Sequence, residues 1–238
     1  MEIKKYQQLV NAYITNKYLP TKNASINEMI KWSLNGGKRL RSMIVLDIFN
    51  SLQKSDQIYD FPYELAMANE LIHSSCLILD DMPCMDNDNY RRDQQSFHKQ
   101  YNEANAVIIS SYLITDAYRC IENQITYLRS INNNDNNDNN NNMLSNSDIT
   151  KIQLHLTSAL ARNTNEASIG QFMDLFPLKS NTNFNTYTKD QITDIITKKT
   201  APFFEMSFLT TYIYTMRIQK KPVLREKLDK VIELASLF

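Results

Sequence analysis

The chain has 238 residues, enough for one large domain, and its 26 basic and 26 acidic side chains cancel. That balance excludes the broad basic footprint of a nucleic-acid-binding protein, and no apolar run approaches the length of a membrane span. Only three glycines (Gly36, Gly37 and Gly170) and six prolines are present, too little turn chemistry for an all-β sandwich or barrel, so long helices are expected.

Residues 1–20 are amphipathic, carry Glu2, and lack the apolar core and small-residue cleavage site of a secretory signal. Leu9, Ala12, Tyr13 and Asn16 form a helical stripe there. The three sparse cysteines (Cys76, Cys84 and Cys120) fit a reducing compartment, so a cytoplasmic location is expected. Next comes Gly36-Gly37-Lys38-Arg39-Leu40-Arg41. Two glycines let the backbone turn tightly and approach a ligand closely. Lys38 and Arg41 are three apart and share a face of the helix that follows. The plainer alternative is a cap followed by a solvated face. Ile44, Val45, Ile48, Phe49 and Leu52 repeat at helical spacing, as do Leu65, Ala68, Asn69, Ile72, Cys76 and Leu79.

That last stripe ends in Asp80-Asp81-Met82-Pro83-Cys84-Met85-Asp86-Asn87-Asp88-Asn89-Tyr90-Arg91-Arg92, the segment richest in chemistry. Carboxylates at the end of a rigid apolar element suit a hard cation such as magnesium (Mg2+), which is commonly completed by substrate phosphates. Arg91 and Arg92 supply forks that match phosphate. On an unbroken helix Asp80 and Asp86 would lie about 600° apart and face different ways. Pro83 disfavours that helix, so a fold-back is expected that brings Asp80, Asp81 and Asp86 together. The alternative, a solvated acidic helix end, opposes the helix dipole and needs compensating charge. His73, two turns before Asp80, can donate to a phosphate, although a single His is commonly structural. A zinc site from His73, Cys76 and Cys84 has irregular spacing and no evident fourth ligand.

Residues 106–129 are apolar almost all round and read as a buried helix. The Asn-rich tract at 132–146 cannot bury enough apolar surface to order itself and is expected to be a disordered insertion between helices. Helices are expected over 152–169, 192–216 and 223–238, with Asp148 as a candidate cap. Gln171 and Asp174 lie three apart on one helix, and Lys199-Thr200 sits in an otherwise apolar segment before Ala201-Pro202.

Taken in order, these segments resemble the trans-isoprenyl diphosphate synthase (polyprenyl synthetase) family. GGKRLR resembles its isopentenyl diphosphate motif, and IHSSCLILDDMPCMDNDNYRR its first aspartate-rich motif. GQFMDL and KKTAP resemble two later motifs, and the look of residues 70–106 is nearest to geranylgeranyl or farnesyl diphosphate synthases. The resemblance implies an all-α bundle or barrel of long helices around a deep central cavity. Residues 1–238 would form one such domain, lacking the family's C-terminal part, usually as a homodimer. It implies that Asp80, Asp81 and Asp86 serve Mg2+ bound to an allylic diphosphate, which Arg91 and Lys199 also hold. Lys38, Arg41, His73 and Arg92 would bind isopentenyl diphosphate. Thr200 and Gln171 would line the reacting region and Asp174 its polar wall.

Three departures stand out. Asp93 replaces the usual glycine after the arginine pair, and Ile169 replaces the first glycine of a Gly-Gly-Gln segment. The sequence also stops at Phe238, short of the family's second aspartate-rich motif. The expected function is a Mg2+-dependent short-chain prenyltransferase. Its alternative is a truncated or degenerate non-catalytic subunit that pairs with a catalytic partner. A terpene cyclase would have no use for GGKRLR. In the family an aromatic five residues before the first aspartate stops growth at fifteen carbons; Ser75 stands here, so a geranylgeranyl product is expected.

Overall fold

The computed structural model describes residues 2–18, 21–53, 60–134, 144–175 and 188–235. Among them are nine helices: α1 (Glu2–Asn16), α2 (Ala24–Leu34), α3 (Leu40–Leu52), α4 (Tyr63–Asp80), α5 (Phe97–Tyr101), α6 (Glu103–Asn134), α7 (Asn146–Leu175), α8 (Lys189–Ile218) and α9 (Arg225–Ala235). The only strands among the described residues are β1 (Tyr90–Arg91) and β2 (Gln94–Gln95), an antiparallel pair in which Arg91 faces Gln94. The all-α expectation therefore holds, and no described helix is long and apolar enough to cross a membrane.

Helix α4 is the hub. Its buried side chains lie all round it, from Leu65 to Ile78, and it packs against α1, α2, α3, α6 and α8. Such a helix must satisfy its polar groups internally. Ser42 Oγ on α3 donates to the Ala66 carbonyl at 2.9 Å, and Ser207 Oγ on α8 donates to Asn69 Oδ1 at 3.1 Å. Ser75 and Ser110 share a hydrogen bond of 2.8 Å across the α4–α6 seam. One main apolar cluster joins α1 to α8, with Val10, Leu34, Leu46, Leu71, Leu113, Ile121 and Leu156 nearly solvent-free.

The ends of the helices depart from expectation in detail. Ser145, not Asp148, caps α7: the Asp148 amide donates to Ser145 Oγ at 3.1 Å, placing Asp148 in the first turn. Thr188 and Gln191 form a reciprocal capping box on α8. The Asn-rich tract is ordered at both ends, because α6 runs to Asn134 and Asn132 pairs with the Leu144 backbone in both directions. Its interior, residues 135–143, lies outside the described residues, as do 236–238 at the end of the expected last helix.

Candidate active site

The site is built where α4 ends. The Asp81 amide closes the last turn onto the Leu77 carbonyl at 3.2 Å, and Pro83 then diverts the chain. The Asp86 amide returns to the Asp80 carbonyl at 2.9 Å, and the Asn87 amide to the Met82 carbonyl at 3.0 Å. Asn87 takes a left-handed φ of 54°, which asparagine tolerates better than most residues. The backbone fold-back thus places Asp86 next to Asp80.

Beside it, α7 and α8 cross at unusually short range. A Cβ on Gly170 would overlap the Lys199 amide nitrogen and the Lys198 carbonyl carbon. Pro202 has no N–H to offer that Lys198 carbonyl, so the helix is locally unpaired at the same crossing. This approach carries Lys199 to the aspartates. Its ammonium donates to Asp80 Oδ1 at 3.2 Å and to Asp174 Oδ2 at 2.8 Å. Gln171 Nε2 donates to the same Asp80 oxygen at 2.7 Å.

These groups stand on a cavity of about 420 Å³. Arg41, His73, Asp80, Gln171, Lys199 and Thr200 supply its polar wall; Cys76, Leu77, Leu79, Met85, Ala167, Phe172, Leu175 and Phe203 supply an apolar one. An apolar pocket with a few convergent polar groups is the usual form of a small-molecule site.

Other expected site residues lie elsewhere. Asp81 is buried and clasped by Arg91, whose Nε donates to Asp81 Oδ1 at 2.8 Å, so its carboxylate is turned from the cavity and engaged. Arg91 also reaches to within 3.9 Å of Asp80 and 3.6 Å of Asp88. Arg92 does not line the cavity. It flanks the glycine turn, where a Cβ on Gly37 would sit 2.9 Å from its Nη1. Lys38 is exposed on that turn, outside the cavity lining. Asp86 and Asp174 border the site, one beside Met85 and the other through Lys199.

The electrostatics follow from this layout. Burial, and then Arg41 and Arg92, hold the His73 imidazole well below its ordinary value and keep it neutral. Burial lowers Arg41, partly opposed by Glu70. Burial also pulls Lys199 down, but its bond to Asp174 and the charge of Asp80 outweigh this and leave it raised. Partial burial, then the charges of Asp80 and Asp174, push the Asp86 acid up. Burial raises Asp81 against the pull of Arg91.

Among the described residues no group of three or more His, Cys, Asp or Glu side chains converges as a ready metal shell. The donor set nevertheless suits Mg2+. It is all oxygen, the Asp86 acid is pushed up by burial and then by the charge of Asp80, and Mg2+ commonly takes one or two carboxylates together with substrate phosphates and water. Asp80 and Asp86 fit that description; Asp81, locked by Arg91, does not.

Sequence reading missed four contributors. Glu70, buried on α4, pairs with buried Arg39 at 3.4 Å and also favours the charged forms of Arg41 and Arg92. An acid inside an otherwise apolar stripe was the available signal. Phe203 and Phe204 lie 5.4 and 4.7 Å from the Arg41 guanidinium, and nothing in the local sequence announces that.

An all-helical domain with a carboxylate-and-cation rim over an apolar cavity is the isoprenoid synthase type of fold. A family model described as polyprenyl synthetase matches residues 23–235, and the chain belongs to that family. The chain is 41% identical over 120 residues to a farnesyl diphosphate synthase of Micrococcus luteus, covering 50% of this chain and 40% of that one. It is 36% identical over 111 residues to a geranylgeranyl diphosphate synthase of Cyanophora paradoxa, covering 46% and 35%. These matches span well under half of the relatives' length. Among solved structures, a geranyltransferase from Legionella pneumophila superposes with a TM-score of 0.73 at 24% identity, over 99% of this chain and 73% of that one. An FPP/GFPP synthase from Zymomonas mobilis gives 0.72 at 22%, over 99% and 75%. At such identities the structural likeness speaks for the fold.

Proposed function

We propose that the chain condenses isopentenyl diphosphate with an allylic prenyl diphosphate in a Mg2+-dependent reaction, as a short-chain prenyltransferase. The observation that carries this reading is a single cavity lined both by the bonded cluster of Asp80, Gln171 and Lys199 and by Arg41 and His73, which meet at the Phe203 ring. Two diphosphates need two such clusters. Relatives named both farnesyl and geranylgeranyl diphosphate synthase support the reaction class.

Bound Mg2+, held by Asp80 and Asp86, would neutralise negative charge on the allylic diphosphate as its C–O bond breaks. The residues of the chain do the rest. Lys199, steered by Asp174, donates to the diphosphate, and Gln171 and Thr200 border the reacting carbons. Arg41 and neutral His73 hold the second diphosphate, with Lys38 and Arg92 approaching it from the glycine turn. The apolar wall takes the tail and excludes water, which strengthens each of these interactions. The electron pair of the broken bond leaves with diphosphate. The double bond of isopentenyl diphosphate attacks the allylic cation, and the released diphosphate accepts the final proton. No protein nucleophile is needed. A non-catalytic subunit would not need this arrangement of charges.

Three finer readings belong with the proposal. The product is the twenty-carbon geranylgeranyl diphosphate, because the small Ser75, hydrogen-bonded to Ser110 across the α4–α6 seam, stands where an aromatic would shorten the product. The chain forms a homodimer through the outer face of α6, where Val107 and Ile108 are 48% and 59% exposed. Its location is cytoplasmic, in keeping with its sparse free cysteines. Incubation with geranyl diphosphate, isopentenyl diphosphate and Mg2+, followed by dephosphorylation and chromatography, tests the reaction. Prenyl alcohols longer than geraniol are expected; geraniol alone contradicts the proposal.

A further inference from the structure

Arg41 is held in an unusual way. Its guanidinium is mostly buried, yet among the described residues no ion pair or side-chain hydrogen bond fixes it, and its Nε is buried without a partner. The nearest buried acid, Glu70, is taken by Arg39 at 3.4 Å. What touches the guanidinium instead is a pair of aromatic rings on consecutive residues of α8, Phe203 and Phe204, with centroids at 5.4 and 4.7 Å. The Phe203 ring also meets the His73 imidazole edge-on, at a centroid distance of 5.7 Å and an interplanar angle of 62°.

The two kinds of partner differ in what they leave free. A carboxylate engages the N–H edge of a guanidinium, the edge that recognises phosphate. An aromatic ring engages its face and leaves those donors unspent. Arg41 therefore reaches the cavity with guanidinium donors that no described side chain takes up, and a largely buried donor needs a partner. An anion at the rim would meet that need. The same ring that steadies Arg41 steadies the neutral His73 beside it.

We propose that Phe203 and Phe204 are positioning residues for the second diphosphate: together they hold Arg41, and Phe203 also His73, in the orientation that binds isopentenyl diphosphate. This inference rests on the function proposed above and adds to it that α8 serves both substrates. Lys199 acts toward the allylic diphosphate, and the two rings act toward the other. Phe204 does not line the cavity but packs on Ile44, Ile48, Phe208 and Val231, so its role is separable from contact with a prenyl tail.

Calorimetric titration of the full chain tests it with two ligands, isopentenyl diphosphate alone and geranyl diphosphate with Mg2+. Phe203→Leu and Phe204→Leu keep apolar bulk and remove the π face. Each should weaken isopentenyl diphosphate roughly tenfold, the scale of a desolvated cation–π contact, and Phe204→Leu, which lies outside the cavity wall, should leave geranyl diphosphate within about twofold. Phe203→Tyr, which keeps the ring and can point its hydroxyl into the cavity, should bind like the unmodified chain. Unchanged isopentenyl diphosphate affinity in both leucine variants overturns the inference. So does equal weakening of both ligands in Phe204→Leu, the mark of general collapse, and so does a Phe203→Tyr variant as weak as Phe203→Leu. If the unmodified chain binds geranyl diphosphate but not isopentenyl diphosphate, the two-substrate reading itself fails and takes the inference with it.

Discussion

Ile169 and Gly170 are neighbours with opposite tolerance for a side chain. Ile169 is 47% exposed, so losing the usual glycine there costs the fold nothing visible, whereas a Cβ on Gly170 would overlap the α8 backbone at Lys198 and Lys199. Gly170→Ala should destabilise the chain by about 2–3 kcal/mol and weaken allylic diphosphate binding, because Lys199 must move from Asp80. Denaturant melts and calorimetry check the two effects. Asp93 is the second departure, and its φ of 62° explains why glycine is favoured in its place. Asp93→Gly should raise stability by roughly 0.5–1 kcal/mol, read from the urea midpoint. His73 gives a pH signature. The unfolded imidazole titrates near 6.5, while burial and then the neighbouring arginines hold the folded one well below that. The unfolded state thus binds the extra proton in that window, so stability is full above about pH 6.5 and falls as pH drops through it. His73→Gln should remove this slope, which is at most about 1.4 kcal/mol per pH unit. Urea midpoints at about pH 7 and pH 5 measure it.

At the scale of elements, the turn after α4 was legible because proline acts locally: Pro83 follows the aspartates, and the backbone returns Asp86 to Asp80. The hairpin was not. Arg92 and Asp93 both adopt positive φ as the two loop residues between β1 and β2, a conformation normally announced by Asn-Gly. Nor was the Asp81–Arg91 clasp, since which of two adjacent carboxylates faces a cavity depends on how the hairpin packs against α4. Periodicity found the long helices, but it does not fix where a helix begins, so the cap was placed three residues late, at Asp148 and not at Ser145. The α4–α6 seam carries the test of product length. Ser75→Tyr should shift the dominant product from geranylgeraniol to farnesol after dephosphorylation. Farnesol as the main product of the unmodified chain would contradict the argument from small side chains at Ser75 and Ser110.

For the whole molecule, the ordered succession of motifs in the sequence indicated an all-α fold, and the structure has it. What the sequence concealed is long-range: Gln171 and Lys199 meet Asp80 across sequence separations of 91 and 119, and these contacts, like the aromatic seat of Arg41, are made only by helix packing. That packing now makes one demand. Asp80 is held by an ammonium and an amide, and under the proposed function both would turn to a diphosphate once a divalent cation took the carboxylate. The most direct measurement is calorimetric titration of the full chain with geranyl diphosphate, with and without Mg2+, beside Asp80→Ala. The account predicts binding that is at least about tenfold tighter with Mg2+ and loses that dependence in Asp80→Ala. Equal affinity with and without Mg2+, or a metal effect that survives Asp80→Ala, would contradict it.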